Sequence, residues 1–375
     1  MYNRNLEKVI KSRFDGKEII ILYGARQTGK TTLITKLLSE IDNSVVFNCE
    51  RPDIKAVLES MNITQLKLLF GNFKYIALDE AQQVENIGKV LKLIYDSPEF
   101  DAKIIATGSS SFELAGRITE PLTGRNIKYE LFPLSINEII ENKSWLWAKE
   151  NLEELLLFGS YPGIINKPII EKQLFLENLS GDYLYRDILV LENIKNPSYL
   201  NKLLKAIAYQ IGSQVSYNEL AKMIGVSMKT VEHYIDLLEK SFVIFSLPSF
   251  SRNARNELKK SKKIYFYDLG IRNALISDFS SIEMRPDKGG IWENFCIAER
   301  LKYNKIWGLS PQMYFWRTYD GAEIDLLEVK NGKLFTFEFK YKAKGKHKLP
   351  LSFNENYKSE RDILIDKDNF QLLFE

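Results

Sequence analysis

A parallel α/β fold is what the sequence predicts for its first third, and three observations predict it. Short apolar runs alternate with helical stretches from Glu18 to Leu134. The first run, Ile19-Ile20-Ile21-Leu22, leads into a loop carrying Gly24 and Gly29 and then into the helical pattern Leu33-Ile34-Thr35-Lys36-Leu37-Leu38. A later run, Tyr75-Ile76-Ala77-Leu78, ends on two carboxylates, Asp79 and Glu80. Strands that alternate with helices pair in parallel, and the crossovers lay helices on both faces of the sheet.

In order, the expected elements are strand Ile19-Leu22, a helix, strand Val45-Asn48, helix Ile54-Phe70, strand Tyr75-Leu78, helix Val84-Tyr95 and strand Lys103-Thr107. Met1 to Phe14 mixes Arg4, Glu7, Lys8, Lys11 and Arg13 with apolar residues, as an amphipathic helix does and a secretory signal does not.

Gly24-Ala25-Arg26-Gln27-Thr28-Gly29-Lys30-Thr31 has the spacing of a P-loop. Glycines let backbone N–H groups curl around a phosphate, and the helix N-terminus adds partial positive charge at the same point. The loop residues with Lys30, Thr31 and Thr32 are the expected ATP contacts. Lys30 would reach the β- and γ-phosphates, and the Thr31 hydroxyl would join the shell of a Mg²⁺ ion. Tyr75 to Glu80 has the form of a Walker B strand. Asp79 would then hold Mg²⁺ through water, with Glu80 polarising the attacking water; the same pair also suits an N-cap and first-turn acid. Thr107 or Ser109, in Thr107-Gly108-Ser109-Ser110-Ser111, is placed to contact the γ-phosphate or the lytic water, or to cap a helix.

Composition narrows the classes. Of 375 residues, 45% are hydrophobic and 27% charged, a globular balance that excludes long disorder, and the length suggests two or three domains. The formal charge of +3 is silent about partners, so a nucleic-acid surface needs local clustering. Cys49 and Cys296 are the only cysteines, which excludes a disulfide framework and a cysteine zinc site. No apolar run approaches the roughly 18 residues that span a bilayer. A cytoplasmic protein without a membrane partner is expected.

After Glu150 the pattern turns helical, with Leu152, Leu155 and Leu156, then Leu200, Leu203, Leu204 and Ile207, at helical spacing. It reads as a helical lid. Val215 to Ser227 gives a short helix, a Gly225 stop and a Ser227 cap. A second helix with Val231, Tyr234, Ile235 and Leu238 follows, then strands Phe242-Leu247 and Ile264-Tyr267. That order predicts a winged helix-turn-helix. Its second helix is mixed in charge, with Lys229, Glu232, His233, Asp236, Glu239 and Lys240. The run Arg252, Arg255, Lys259, Lys260, Lys262 and Lys263, opposed by Glu257, is the candidate DNA-backbone contact.

From Gly289 an amphipathic helix over Trp292-Leu301 precedes strands Met313-Arg317, Glu323-Lys330 and Lys333-Tyr341. Asn331-Gly332 predicts a type I′ hairpin pairing Lys330 with Lys333, which sets Asp325 opposite Glu338 and puts Lys340 on the same face. Like charges so placed repel, and a divalent cation between them would reverse the sign. Glu293, Asp325 and Glu338, with Lys340, are therefore the candidate ligands of a second Mg²⁺ or Mn²⁺. If the strand continued, Lys340, Lys342, Lys344, Lys346 and Lys348 would line one side as a phosphate track. The residues resemble the restriction-endonuclease-like core and its D…ExK pattern.

The P-loop and Walker B strand, with Leu122-Thr123-Gly124-Arg125 and Leu131 to Glu138, resemble a family of prokaryotic AAA-type ATPases with a nuclease-like C-terminal domain of uncharacterised function. Gly159-Ser160-Tyr161-Pro162-Gly163 and Tyr185-Arg186-Asp187-Ile188 match the same pattern. The resemblance implies that Arg125 lies near a phosphate, in cis or from a neighbouring subunit of a homo-oligomer. The expected organisation is an AAA-type P-loop ATPase domain over 1–140, a helical lid and winged helix over 141–275, and a small α/β nuclease-like domain over 276–375. The expected function is ATP hydrolysis coupled to DNA binding or remodelling. A nucleotide switch that binds a protein partner on an inactive nuclease-like scaffold, and an ATP-gated nuclease, are the alternatives.

Overall fold

The structure, a computed structural model, describes residues 1–109, 122–183, 197–250, 262–343, 345 and 347–375. Ser110, Ser111, the Tyr185-Ile188 motif, Arg252, Arg255, Glu257, Lys259, Lys260, Lys344 and Lys346 lie outside the described residues. The chain forms two compact units, the first mainly from Met1–Pro133 and the second mainly from residues 134–375.

The first unit starts with α1 (Asn5–Lys11) and β1 (Ile19–Tyr23), then α2 (Lys30–Ser39) and β2 (Ser44–Asn48). Next come α3 (Pro52–Ser60), α4 (Ile63–Phe70), β3 (Tyr75–Asp79), α5 (Ile87–Asp96), β4 (Lys103–Gly108) and β5 (Asn126–Glu130). Five parallel strands take the order β2-β3-β4-β1-β5. Every residue of β1 and β4 is buried, as the uninterrupted apolar runs require for strands covered on both faces. This is the sheet of a P-loop nucleotide-binding domain.

Two local expectations are corrected. The single helix expected over Ile54–Phe70 is two helices: Met61 takes a left-handed φ of 48°, and the Asn62 side chain accepts from Gln65 N–H to cap a new start. The helix expected from Val84 begins at Ile87, because Ala81–Gln83 forms a 3₁₀ turn after Glu80.

The second unit begins with helices α6 (Ile136–Asn142), α7 (Trp145–Glu150), α8 (Leu152–Phe158) and α9 (Ile169–Asn178). There follow α10 (Pro197–Tyr209), β6 (Gln214–Val215), α11 (Tyr217–Ile224), α12 (Met228–Lys240), β7 (Ile244–Pro248) and β8 (Lys262–Phe266). Ser216 caps α11, Gly225 ends it at φ 83°, and Ser227 accepts from Thr230 N–H to start α12. Strands β6, β8 and β7 form an antiparallel sheet.

Beyond it lie α13 (Leu269–Leu275), α14 (Lys288–Ile306), β9 (Gln312–Arg317), β10 (Glu323–Lys330), β11 (Lys333–Phe339), α15 (Leu351–Asn354) and β12 (Ser359–Ile365). The sheet order is β12-β11-β10-β9, with β12 parallel to β11. Asn331 and Gly332 both have positive φ, 51° and 76°, and Lys330 faces Lys333, as the hairpin turn predicts. The continuous lysine track is corrected: β11 stops at Phe339, and Gly345 at φ 82° turns the chain before Pro350.

The Gly159-to-Gly163 motif has a packing explanation. Gly159 ends α8 at φ 72°, and a side chain there would collide with the carboxylate of Asp268. That carboxylate accepts from Ser160 N–H and Ile271 N–H, so it ties the end of α8 to the start of α13. We predict that Gly159→Ala destabilises the chain by about 2 kcal/mol or more. Denaturant unfolding at the parent midpoint would contradict this.

Candidate functional site

The loop after β1 has the geometry its sequence suggests. Gln27 and Gly29 take positive φ values of 62° and 95°, and α2 starts immediately at Lys30. Gly24 tolerates no side chain, because a Cβ would run into the Leu131 carbonyl. Buried Lys30 stretches back along the loop, its Nζ donating to the carbonyls of Gly24 (2.9 Å) and Ala25 (3.0 Å). Thr28 is buried and donates to the Ala25 carbonyl at 2.8 Å, whereas Gln27, Thr31 and Thr32 are exposed. Ala25 and Arg26 lie on the partly exposed rim of the loop.

Asp79 joins the loop helix to the sheet. Its Oδ2 accepts from Thr31 Oγ1 at 2.8 Å and its Oδ1 from Thr107 Oγ1 at 2.5 Å. Thr107 Oγ1 also receives the Glu80 N–H at 3.2 Å. Of the two β4 candidates, Thr107 therefore touches both acids, and Ser109 is buried beyond it. Glu80 has a left-handed φ of 53°, a conformation a non-glycine residue holds only where its surroundings impose it, and Gln82 Nε2 donates to its carboxylate. Thr31 and Asp79 could hold a Mg²⁺ ion between α2 and β3, leaving Glu80 at the rim to orient water. Cys49 is buried beside this site, and its thiol is pushed up to about 12 by burial, with Asp79 and Glu80 adding to it. It is a packing residue and no nucleophile.

Arg125 bears on the choice, in cis or from a neighbouring subunit, that the resemblance left open. Its carbonyl accepts from Ile19 N–H, at the start of β1, whereas the loop follows the end of that strand. At roughly 3.3 Å per residue the two ends lie on the order of 15 Å apart. The guanidinium pairs with Asp96 at 2.8 Å, and within this chain it does not reach the loop.

Arg4 takes a place near the loop that the sequence did not suggest. It is buried, and its guanidinium donates to the carbonyls of Thr28 (2.9 Å) and Phe132 (2.7 Å). It staples the phosphate loop to the chain leaving β5. Within an amphipathic terminal helix, nothing in the local pattern separates it from Lys8 or Lys11.

A second cluster lies in the C-terminal sheet. Asp325 sits in a β-bulge, since Ile324 faces Trp316 but Leu327 faces Tyr314. The β10–β11 register reaches Leu326 opposite Phe337, one step from the Asp325–Glu338 pair, and Asp325 Oδ2 accepts from Phe339 N–H at 2.8 Å. Glu338 pairs with Lys340 at 2.6 Å. Glu293 on α14 accepts from Lys263 Nζ at 2.7 Å and from Tyr265 Oη at 2.6 Å, and Lys263 also meets Glu323 at 2.5 Å.

Two expectations change here. Lys263 is 1% exposed and points into the acids, so it is no part of a basic surface. Among the described residues, no group of three or more His, Cys, Asp or Glu side chains is arranged to hold a metal ion, and one oxygen of each of Glu293, Asp325 and Glu338 is engaged by a protein donor. Period-two alternation carried the missed signal, because Lys263 shares a strand face with buried Tyr265. Burial, then Glu293 and Glu338, push Asp325 up to about 8. Burial pulls the Lys263 ammonium down, but Glu293 and Glu323 more than reverse this and raise it.

Fold and site together define the first unit as a P-loop ATPase domain. Residues 16–140 match the family described as AAA domain. Residues 149–282 and 288–374 match two families described as domains of unknown function, DUF8612 and DUF4143. The chain is similar to an uncharacterized protein of Mycobacterium tuberculosis, 28% identical over 327 residues, 86% of this chain and 70% of the relative. It is also similar to an uncharacterized protein of Methanocaldococcus jannaschii, 25% identical over 395 residues, 99% of this chain and 84% of the relative. Among solved structures it resembles the Walker-type ATPase of Pyrococcus abyssi, with a TM-score of 0.46 and 15% identity over 74% of this chain and 96% of that one. Among the described residues, no helix is long and apolar enough to cross a membrane.

Two predictions follow from this geometry. Arg4→Ala removes two buried charged hydrogen bonds, each worth roughly 1.5–3 kcal/mol, and should weaken ATP affinity about tenfold or more. A fluorescent-nucleotide titration checks it, and parent affinity in a folded variant would contradict it. Asp325 binds its proton more tightly folded than unfolded, so its burial favours folding at low pH and costs stability as pH rises from about 4 to about 8. Asp325→Asn should therefore gain stability over the parent as pH rises through that window, by a few kcal/mol at most. A difference in unfolding free energy that stays constant with pH would contradict it.

Proposed function

We propose that the chain is an ATP-hydrolysing enzyme that couples nucleotide state to duplex DNA through residues 197–266, with the C-terminal sheet as scaffold. The single observation that carries the ATPase reading is the Asp79 carboxylate held by the hydroxyls of Thr31 and Thr107. In this reading the loop N–H groups and Lys30 bind the β- and γ-phosphates, Thr31 and Asp79 hold Mg²⁺, and Glu80 orients the attacking water. Held by Thr31 and Asp79, Mg²⁺ would offset negative charge on the phosphate oxygens, while the chain's residues bind and align the nucleotide and Glu80 would take the proton of the attacking water. A contact from Arg125 to phosphate requires a second copy of the chain.

The DNA reading is supported by the order helix, short strand, helix, helix, hairpin, which is that of a winged helix. The nuclease reading of Glu293, Asp325, Glu338 and Lys340 with a second Mg²⁺ or Mn²⁺ is set aside, because the buried Lys263 already pairs with Glu293 and Glu323, and Lys340 with Glu338.

Two experiments test the proposal. Lys30→Ala should lose ATP affinity by roughly ten- to a hundredfold, while Glu80→Gln should bind ATP and lose turnover. Parent turnover in Glu80→Gln would reject the role of Glu80. Neutralising Lys259, Lys260 and Lys262 should flatten the salt dependence of DNA binding, by about 0.9 in log K against log salt per lost phosphate contact. An unchanged slope, or no binding by the parent, would move the partner to a protein.

A further inference from the structure

We propose that the acidic cluster of the C-terminal sheet carries its own cation, the Lys263 ammonium, and that removing this ammonium turns the cluster into a divalent-cation site. The nuclease-like resemblance implies a metal at Glu293, Asp325 and Glu338, and the residues do not accommodate one. A hard divalent cation needs several oxygens free to converge on it. Here Glu293 Oε1 is shared by Lys263 Nζ (2.7 Å) and Tyr265 Oη (2.6 Å), and Glu323 Oε1 meets the same ammonium at 2.5 Å. Asp325 Oδ2 is taken by Phe339 N–H, and Glu338 Oε1 by Lys340.

Lys263 is fixed in that position. It is 1% exposed, its ammonium lies 5.5 Å from the centre of the Phe315 ring, and Phe315 is the β9 residue opposite the bulge that carries Asp325. Swinging out would leave Glu293 with the Tyr265 Oη donor and Glu323 with Arg317 at 3.7 Å, so the two acids would lose the charge they share. The lysine also comes from a different sheet. Strand β8 belongs to the hairpin after α12, whereas Glu293 stands on α14 and Glu323 on β10. Two further contacts run the same way: Asn294 accepts from Phe266 N–H and donates to its carbonyl, and Phe250 N–H donates to Phe315. The ion pair is therefore a tie between the hairpin and the C-terminal sheet, made where a metal would stand in a nuclease.

The test uses the full chain without nucleotide, titrated with Mn²⁺ and followed by calorimetry and by the spin resonance of free Mn²⁺. In the parent background, Glu293→Gln/Asp325→Asn should leave the Mn²⁺ isotherm unchanged. Lys263→Met keeps the apolar stem and removes the charge, and it should bind about one further Mn²⁺ per chain. That gain should vanish in Lys263→Met/Glu293→Gln/Asp325→Asn. A parent isotherm that weakens in the Glu293/Asp325 double variant would overturn the proposal, since the acids would then bind metal with the lysine in place. A folded Lys263→Met variant with no added site would overturn it as well. Should Lys263→Met fail to fold, Lys263→Gln, which also removes the charge, carries the same comparison, and a folded Lys263→Gln with no added site overturns the proposal. Any Mn²⁺ held at Thr31 and Asp79 is common to all variants and drops out of the difference, so failure here leaves the ATPase reading untouched.

Discussion

The first unit depends on the Asp79 carboxylate. It lies at the end of β3, where a parallel sheet delivers side chains to one edge, and it is 4% exposed. Its two oxygens are shared between a threonine on the loop helix and a threonine on the neighbouring strand. Those bonds set the distance between α2 and β4, and Thr107 passes the constraint to the Glu80 backbone. The left-handed conformation of Glu80 follows from being held at that corner. Arg4 fixes the loop from the other side through the Thr28 carbonyl. The loop is thereby braced before any ligand arrives, which would lower the ordering cost of binding.

The second unit has a comparable centre of different chemistry. Lys263 sits among Glu293, Glu323 and, farther off, Asp325, and such a network is costly unless its members are paired. This unit buries further charged pairs. Arg300 is buried and makes a two-pronged pair with Glu328 on β10, at 2.8 Å for both bonds, and Lys302 pairs with Glu299 on the same helix. Helix α14 is thus held to the sheet by buried ions as well as by apolar contacts. The outside of α12, in contrast, mixes Lys229 with Glu232 and Asp236.

How legible this was from sequence depends on whether the signal is local. Strands β1, β3 and β4 have apolar centres because both their faces are covered, and they were readable to within a residue. Strand β5 was not: Asn126-Ile127-Lys128-Tyr129-Glu130 is an edge strand of mixed polarity, and only its pairing with β1 defines it. The hairpin register was legible because Asn331-Gly332 fixes it, whereas the bulge at Asp325 depends on β9. Among the candidate site residues, Lys30, Thr31, Asp79, Glu80 and Thr107 were marked by a loop and two strand ends. Arg4 and the distance of Arg125 from the loop were not, because each depends on partners far away in the chain, Arg4 on Phe132 and Arg125 on Ile19; for Lys263 the strand alternation gave the inward face but not its partner Glu293.

The central claim is that the loop after β1 is the nucleotide site and that Asp79 organises it. A crystal structure of the chain with Mg²⁺ and a non-hydrolysable ATP analogue tests that claim most directly. The account predicts the triphosphate along the Gly24–Thr31 backbone, Mg²⁺ bound by Thr31 Oγ1 with Asp79 in its shell, Glu80 and Thr107 facing the γ-phosphate, and Arg125 of the same chain still paired with Asp96. A nucleotide bound elsewhere, a metal that bypasses Thr31 and Asp79, or Arg125 of the same chain on the γ-phosphate would contradict it.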